Sequence, residues 1–162
     1  MMKQKPFKLL VVCTGNICRS PTAEGVLRKK VADIGMSKQI FVDSAGTHGY
    51  HVGEAPDERS CHAAKCRGYD LSKLTSRRVK EQDFFDFDLI LAMDSGHLDS
   101  LRKIQPTRSR ARLDLYLEFS RSFYKQSVPD PYYGGEEGFE HVLDMIEEGA
   151  DRILGNLLPP PN

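Results

Sequence analysis

Apolar residues along this chain come in short dense runs that alternate with stretches where they recur at helical spacing. Phe7, Leu9, Leu10, Val11 and Val12 form a nearly continuous run, the pattern of a strand buried on both faces. After a short loop, Ala23, Val26, Leu27, Val31 and Ile34 predict a helix over residues 21–34, with Pro21 suited to its first turn. Residues 40–45 and 87–93 read as strands, 56–67 and 96–104 as helices, and 111–115 as a weaker strand. Phe139, Val142, Leu143, Ile146, Ala150, Ile153, Leu154 and Leu157 form a last helical stripe, ended by Pro159, Pro160 and Pro161. This alternation predicts an α/β fold: a parallel twisted sheet with helices on both faces. No repeat or linker interrupts it, and residues 1–162 suit one domain with a core over about 8–158.

Charge narrows the partners. Lys plus Arg number 23 and so do Asp plus Glu, so the balance gives no reason to expect a nucleic acid or an anionic membrane. The longest apolar runs, residues 9–13 and 89–93, fall far below a bilayer span, and residues 1–8 are too polar for a signal peptide. The expected location is cytoplasmic. The four cysteines, Cys13, Cys18, Cys61 and Cys66, are too few for a disulfide framework and read as thiols in a reducing compartment. Their paired spacing also admits a four-thiolate zinc site. Against zinc stands the detail around Cys13, while Cys61 and Cys66, in a helical stretch, read as inert.

That detail is the segment Cys13-Thr14-Gly15-Asn16-Ile17-Cys18-Arg19-Ser20-Pro21, which joins the first strand to the first helix. In open α/β sheets ligands bind beyond the carboxyl ends of strands. Gly15 and Asn16 tolerate left-handed backbone, which curls successive N–H groups toward one point, and the helix adds its positive end. The product is an anion nest. Arg19 supplies a planar fork able to take two phosphate oxygens at once. A cysteine at the focus of such a nest is expected as the thiolate, the nucleophilic form, with Ser20 placed to donate to it. A nucleotide-binding glycine loop would need Gly-x-x-x-x-Gly-Lys-Ser/Thr, a run absent here.

Displacing an oxygen leaving group from phosphorus calls for a positioned acid. By pattern alone the chain's many carboxylates are not separated. Asp130 stands out because Pro129 and Pro131 fix its loop, yet a rigid turn with an exposed charge fits that pattern equally well. Asp94 at the end of the third strand suits either an orienter of Arg19 or the N-cap of the next helix.

Residues 12–21 resemble the phosphate loop of the low-molecular-weight protein tyrosine phosphatases. Asp43-Ser44-Ala45-Gly46-Thr47, residues 87–94 and Val128-Pro129-Asp130-Pro131-Tyr132-Tyr133-Gly134-Gly135 resemble that family's other signatures in the same order. The resemblance runs from Lys8 to about Leu158. It implies a four-stranded parallel sheet and hydrolysis of phosphotyrosine through a phosphocysteine, without metal or cofactor. Cys13 would be the nucleophile, Arg19 the clamp and Asp130 the acid, with Thr14, Gly15, Asn16, Ile17, Cys18 and Ser20 lining the phosphate site. It further implies that Ser44 helps hold a strained Asn16, that Tyr50 and Tyr132 wall the pocket, and that the partners are phosphotyrosine-containing proteins and a tyrosine kinase. The family commonly adds a histidine to the asparagine network; Leu74 and Thr75 stand in that region here.

Three rivals share this loop. Arsenate reduction needs relay cysteines after the third strand, where Asp94-Ser95-Gly96-His97 has none. Phosphoarginine phosphatases related to this family carry Thr where Ile17 stands. A phosphate-binding module without catalysis is expected to lack the thiol or the acid, and both are present.

Overall fold

The computed structural model describes residues 5–158. Strand β1 (Phe7–Cys13) lies between β2 (Ile40–Gly46) and β3 (Leu89–Ala92), and β4 (Arg112–Leu115) forms the far edge; the order is β2-β1-β3-β4, every pairing parallel. Parallel neighbours need crossover connections. These contain α1 (Arg19–Asp33), then α2 (Glu58–Cys66) with the short α3 (Asp83–Asp86), then α4 (Ser95–Ile104); α5 (Glu136–Leu157) follows the sheet.

Alternate side chains of β1 face opposite ways. Leu9, Val11 and Cys13 pack with Val26 and Leu27 of α1 and Val142 and Ile146 of α5. Leu10 and Val12 pack with Phe84 of α3 and Leu98 and Leu101 of α4. Helices therefore cover both faces, which explains why β1 is apolar at consecutive positions. In register, Cys13 pairs with Gly46 at the carboxyl end of β1, so its side chain emerges where three strands end.

The predicted elements are all present, with shifted bounds. Helix α1 begins at Arg19 rather than residue 21, because the first-turn N–H groups have no partner within the helix and Pro21 loses nothing there. Strand β3 is shorter than 87–93: the chain before it winds into α3, and Phe87 caps that helix in extended conformation. Along α5, Phe139, Val142, Leu143, Ile146, Ala150, Ile153 and Leu154 are buried. Burying a large apolar side chain is worth roughly 1.5–3 kcal/mol, enough to outweigh the ~0.5–1 kcal/mol disadvantage of each of Gly138, Gly149 and Gly155 in the same helix. Pro159, Pro160 and Pro161 lie outside the described residues.

Candidate active site

Residues 14–18 turn the chain from β1 into α1. Asn16 holds a φ of 57°, a left-handed conformation that asparagine tolerates and that surroundings must fix. Its side chain is buried and fully engaged: Nδ2 donates to Ser20 Oγ at 2.7 Å and to Ser44 Oγ at 2.9 Å, while Oδ1 accepts from Arg77 N–H at 3.0 Å. Ser44 in turn donates to Glu24 Oε1 at 2.6 Å, and Arg28 Nη2 lies 2.7 Å from the other Glu24 oxygen. Gly15 departs from the expectation of left-handed backbone, since its φ is not positive. Its missing side chain instead admits His51, whose Cδ2 would lie 2.9 Å from a Cβ placed there. At Gly46 a Cβ would meet Thr14 O at 2.7 Å, so β2 and the loop pass each other closer than any other residue permits.

Ser20 Oγ accepts from Asn16 at 2.7 Å, and its own proton has two acceptors in reach, Cys13 Sγ at 3.0 Å and Ala45 O at 3.5 Å. Cys13 is 2% exposed. The loop thus holds a nearly buried sulfur with a hydroxyl beside it.

Arg19 is 4% exposed and reaches across the carboxyl ends of the strands. Its Nη1 donates to Asp94 Oδ2 at 2.9 Å and Val128 O at 3.0 Å; Nη2 donates to Thr14 Oγ1 at 3.3 Å and lies 3.7 Å from Asp130 Oδ2. Asp94 fills both roles left open by its sequence, because Oδ1 accepts from His97 N–H at 2.8 Å as an N-cap while Oδ2 takes the guanidinium. Burial works against its charge, yet the His97 N–H and Arg19 together hold its carboxyl below the usual range.

The loop carrying Asp130 is tied down by Val128, which is fully buried and donates to Met93 O at 2.7 Å. Asp130 Oδ1 accepts from Tyr132 N–H at 3.0 Å, the local turn that prolines on both sides favour. Cys13, Ile17, Arg19, Tyr50, Asp130 and Tyr132 surround one cleft of about 220 Å³. Tyr132, with Arg59 5.3 Å from its ring centre, stands at the mouth. Tyr50 is 74% exposed and stacks on His48, so it forms the rim rather than a deep wall.

The other thiols separate by environment. Burial, then the charge of Asp57, pushes the Cys18 thiol up to about 12, and burial also raises that of Cys61. Cys66 is exposed on α2, 3.8 Å from His62 Nε2. All four cysteines are free, and among the described residues no group of three or more His, Cys, Asp or Glu side chains is arranged to hold a metal ion.

Sequence reasoning missed several contributors. Leu74 packs against the core, and the third contact of Asn16 comes from the Arg77 backbone. Ser76 donates to Gly15 O at 2.9 Å. Glu24 lies beneath Ser44, burial raising its carboxyl above the usual range, and His97 lies behind Arg19. The i, i+20 and i, i+83 separations of these contacts leave no local signature.

A sequence model described as low molecular weight phosphotyrosine protein phosphatase matches residues 8–158. A low molecular weight protein-tyrosine-phosphatase of Streptomyces coelicolor is 41% identical over 151 residues, 91% of this chain and 92% of that one. The crystal structure of a protein tyrosine phosphatase from Entamoeba histolytica superposes with a TM-score of 0.89 at 39% identity, covering 93% of this chain and 96% of that chain. A Drosophila arginine phosphatase superposes with a TM-score of 0.88 at 31% identity, covering 96% and 100% respectively.

Proposed function

Since the chain belongs to the low molecular weight phosphotyrosine protein phosphatase family, we propose that Cys13 is its nucleophile, Arg19 its phosphate clamp and Asp130 its general acid. The protein is a cysteine-dependent hydrolase that removes phosphate from phosphotyrosine through a phosphocysteine intermediate with an aspartic general acid. The observation that carries the assignment is the convergence of three groups on one cleft. Cys13 Sγ lies beside the Ser20 hydroxyl, and the Arg19 fork lies 3.7 Å from the Asp130 carboxylate.

Attack by Cys13 Sγ on phosphorus forms the S–P bond as the P–O bond to tyrosine breaks, and Asp130 gives its proton to the departing oxygen. The loop N–H groups and Arg19 hold the phosphoryl oxygens throughout. In the second step the Asp130 carboxylate takes a proton from the attacking water. The sulfur then leaves as thiolate toward the Ser20 hydroxyl. Phosphoserine is too short to bring its phosphorus from the aromatic mouth at Tyr132 to a sulfur on the cleft floor, which supports tyrosine selectivity.

Phosphotyrosine-containing proteins are the substrates of this family. Residues 1–162 then form one phosphatase domain, in keeping with the matched span of 8–158. The enzyme works in the cytoplasm, opposite a tyrosine kinase, with no nucleic-acid or membrane partner. The balanced charge supports this. So does the finding that no helix among the described residues is long and apolar enough to cross a membrane. The test compares turnover of phosphotyrosine, phosphoserine and phosphoarginine peptides by the unmodified protein and Cys13→Ser. The expected result is phosphotyrosine preference in the former and no turnover in the latter; activity surviving in Cys13→Ser would refute the assignment.

A further inference from the structure

Behind the Arg19 guanidinium four side chains close on one another. Arg19 Nη2 donates to Thr14 Oγ1 at 3.3 Å, Thr14 Oγ1 lies 2.7 Å from His97 Nε2, His97 Nδ1 lies 3.2 Å from Asp94 Oδ1, and Asp94 Oδ2 accepts from Arg19 Nη1 at 2.9 Å. His97 is 6% exposed in the first turn of α4. Its Nδ1 makes no full hydrogen bond and has Asp94 as its facing group.

The protons of this ring follow from chemistry. Arg19 has no lone pair, so Thr14 accepts from it. A bare Nδ1 on His97 would point its lone pair at a carboxylate oxygen 3.2 Å away, whereas Nδ1–H makes that approach attractive. Nε2 is then the unprotonated nitrogen and accepts the Thr14 hydroxyl. Asp94 thus receives Arg19 along two routes, one direct and one through Thr14 and His97. Burial pushes the His97 pKa down to about 4 against the pull of Asp94, so the imidazole is neutral at pH 7.

A planar fork grips two phosphate oxygens only if its plane is fixed. Asp94 and the Val128 carbonyl hold the Nη1 end, while at the Nη2 end the Asp130 carboxylate lies 3.7 Å off, beyond hydrogen-bond reach. The Nη2 end meets Thr14 as its only hydrogen-bond partner among the described residues. We propose that His97 is a positioning residue for the reaction: by fixing the Thr14 hydroxyl it holds the Nη2 edge of Arg19 in the plane that meets phosphate. This rests on the reading of Arg19 as the clamp.

Side-chain ¹⁵N NMR of the unmodified protein at pH 7 tests the ring directly. The neutral Nδ1–H tautomer of His97 is expected; an Nε2–H tautomer or a protonated ring would overturn the proposal. Calorimetric affinity for inorganic phosphate tests the consequence without relying on turnover. His97→Phe and Thr14→Val should each weaken phosphate about tenfold, the loss of one hydrogen bond on a charged group. The double variant should be no weaker than either single one. His97→Gln, whose amide oxygen can still accept from Thr14, should recover most of the loss. Additive losses, or a His97→Gln as weak as His97→Phe with an unchanged unfolding midpoint, would contradict it. If the phosphatase assignment itself fails, phosphotyrosine turnover is absent while the tautomer and the phosphate affinities stand.

Discussion

The Ser44 hydroxyl donates to Glu24 Oε1 at 2.6 Å, deep beneath the phosphate loop, and Ser44 Oγ itself accepts from Asn16 Nδ2 at 2.9 Å. Ser44→Ala removes both contacts, leaving a buried carboxylate short of a donor and the left-handed Asn16 with two of its three partners. The expected cost is ~1–3 kcal/mol of stability, read as a lower urea midpoint, together with reduced turnover because Asn16 no longer holds the phosphate loop as firmly. An Ser44→Ala protein with unchanged midpoint and turnover would show that Asn16 is fixed by Ser20 and Arg77 alone.

Burial of neutral His97 makes stability depend on pH. Its folded pKa, about 4, lies below the unfolded value of 6.5, so between these the unfolded chain binds the proton and the folded one does not. Stability is therefore full above pH 6.5 and declines as pH falls toward 4, by a few kcal/mol at most. Asp94, Arg19, Asp130 and His48 are the charged or titrating groups that act on it. Denaturant midpoints from pH 7 to 4 should fall more steeply for the unmodified protein than for His97→Gln; parallel curves would remove His97 from the account.

Peroxide chemistry at Cys13 gives a sulfenic acid and water. Cys18, on the same loop, can condense with it, losing water to form a disulfide that added thiol reduces again. Because burial holds Cys18 protonated well above neutrality, this trap should quicken as pH rises. Cys18→Ser should stay active yet recover less activity after peroxide and thiol; equal recovery in both proteins would leave Cys18 as a packing residue.

Ile17 lines the cleft and packs against the core. Replacing it by threonine exchanges apolar bulk for a hydroxyl, a change worth about 1–3 kcal/mol in a pocket. Ile17→Thr should raise the ratio of phosphoarginine to phosphotyrosine turnover without a clean switch. An unmodified protein that already prefers phosphoarginine would contradict the choice of substrate drawn from Ile17.

What could be read from the chain follows from how local each feature is. The grouping of side chains around Cys13 is legible because residues 13–20 carry the sulfur, the asparagine, the fork and the serine in one segment, after a strand whose apolar run declares burial on both faces. Asp130 was separable from other carboxylates only through its flanking prolines and the family resemblance, since its partner Arg19 is 111 residues away. Glu24 reads as an ordinary charged helix position; only the packing of α1 on β2 puts it under Ser44. His97 likewise looks like a surface residue of an amphipathic helix until the end of β3 brings α4 against Thr14. The missing family histidine was visible at Leu74, but the sequence had no means of showing that a backbone N–H, that of Arg77, completes the contacts of Asn16.

The most direct test of the mechanism follows the phosphoryl group itself. With 4-nitrophenyl phosphate, whose leaving group departs without much help, Asp130→Asn should still transfer phosphate to the enzyme but lack the base that activates water. Acid quenching during turnover and mass spectrometry of the digested protein should then find phosphate on the peptide containing Cys13, more of it than in the unmodified enzyme. Phosphate on any other residue, or none on Cys13 while nitrophenol is released, would contradict the phosphocysteine route assigned to Cys13 and the two-step role of Asp130.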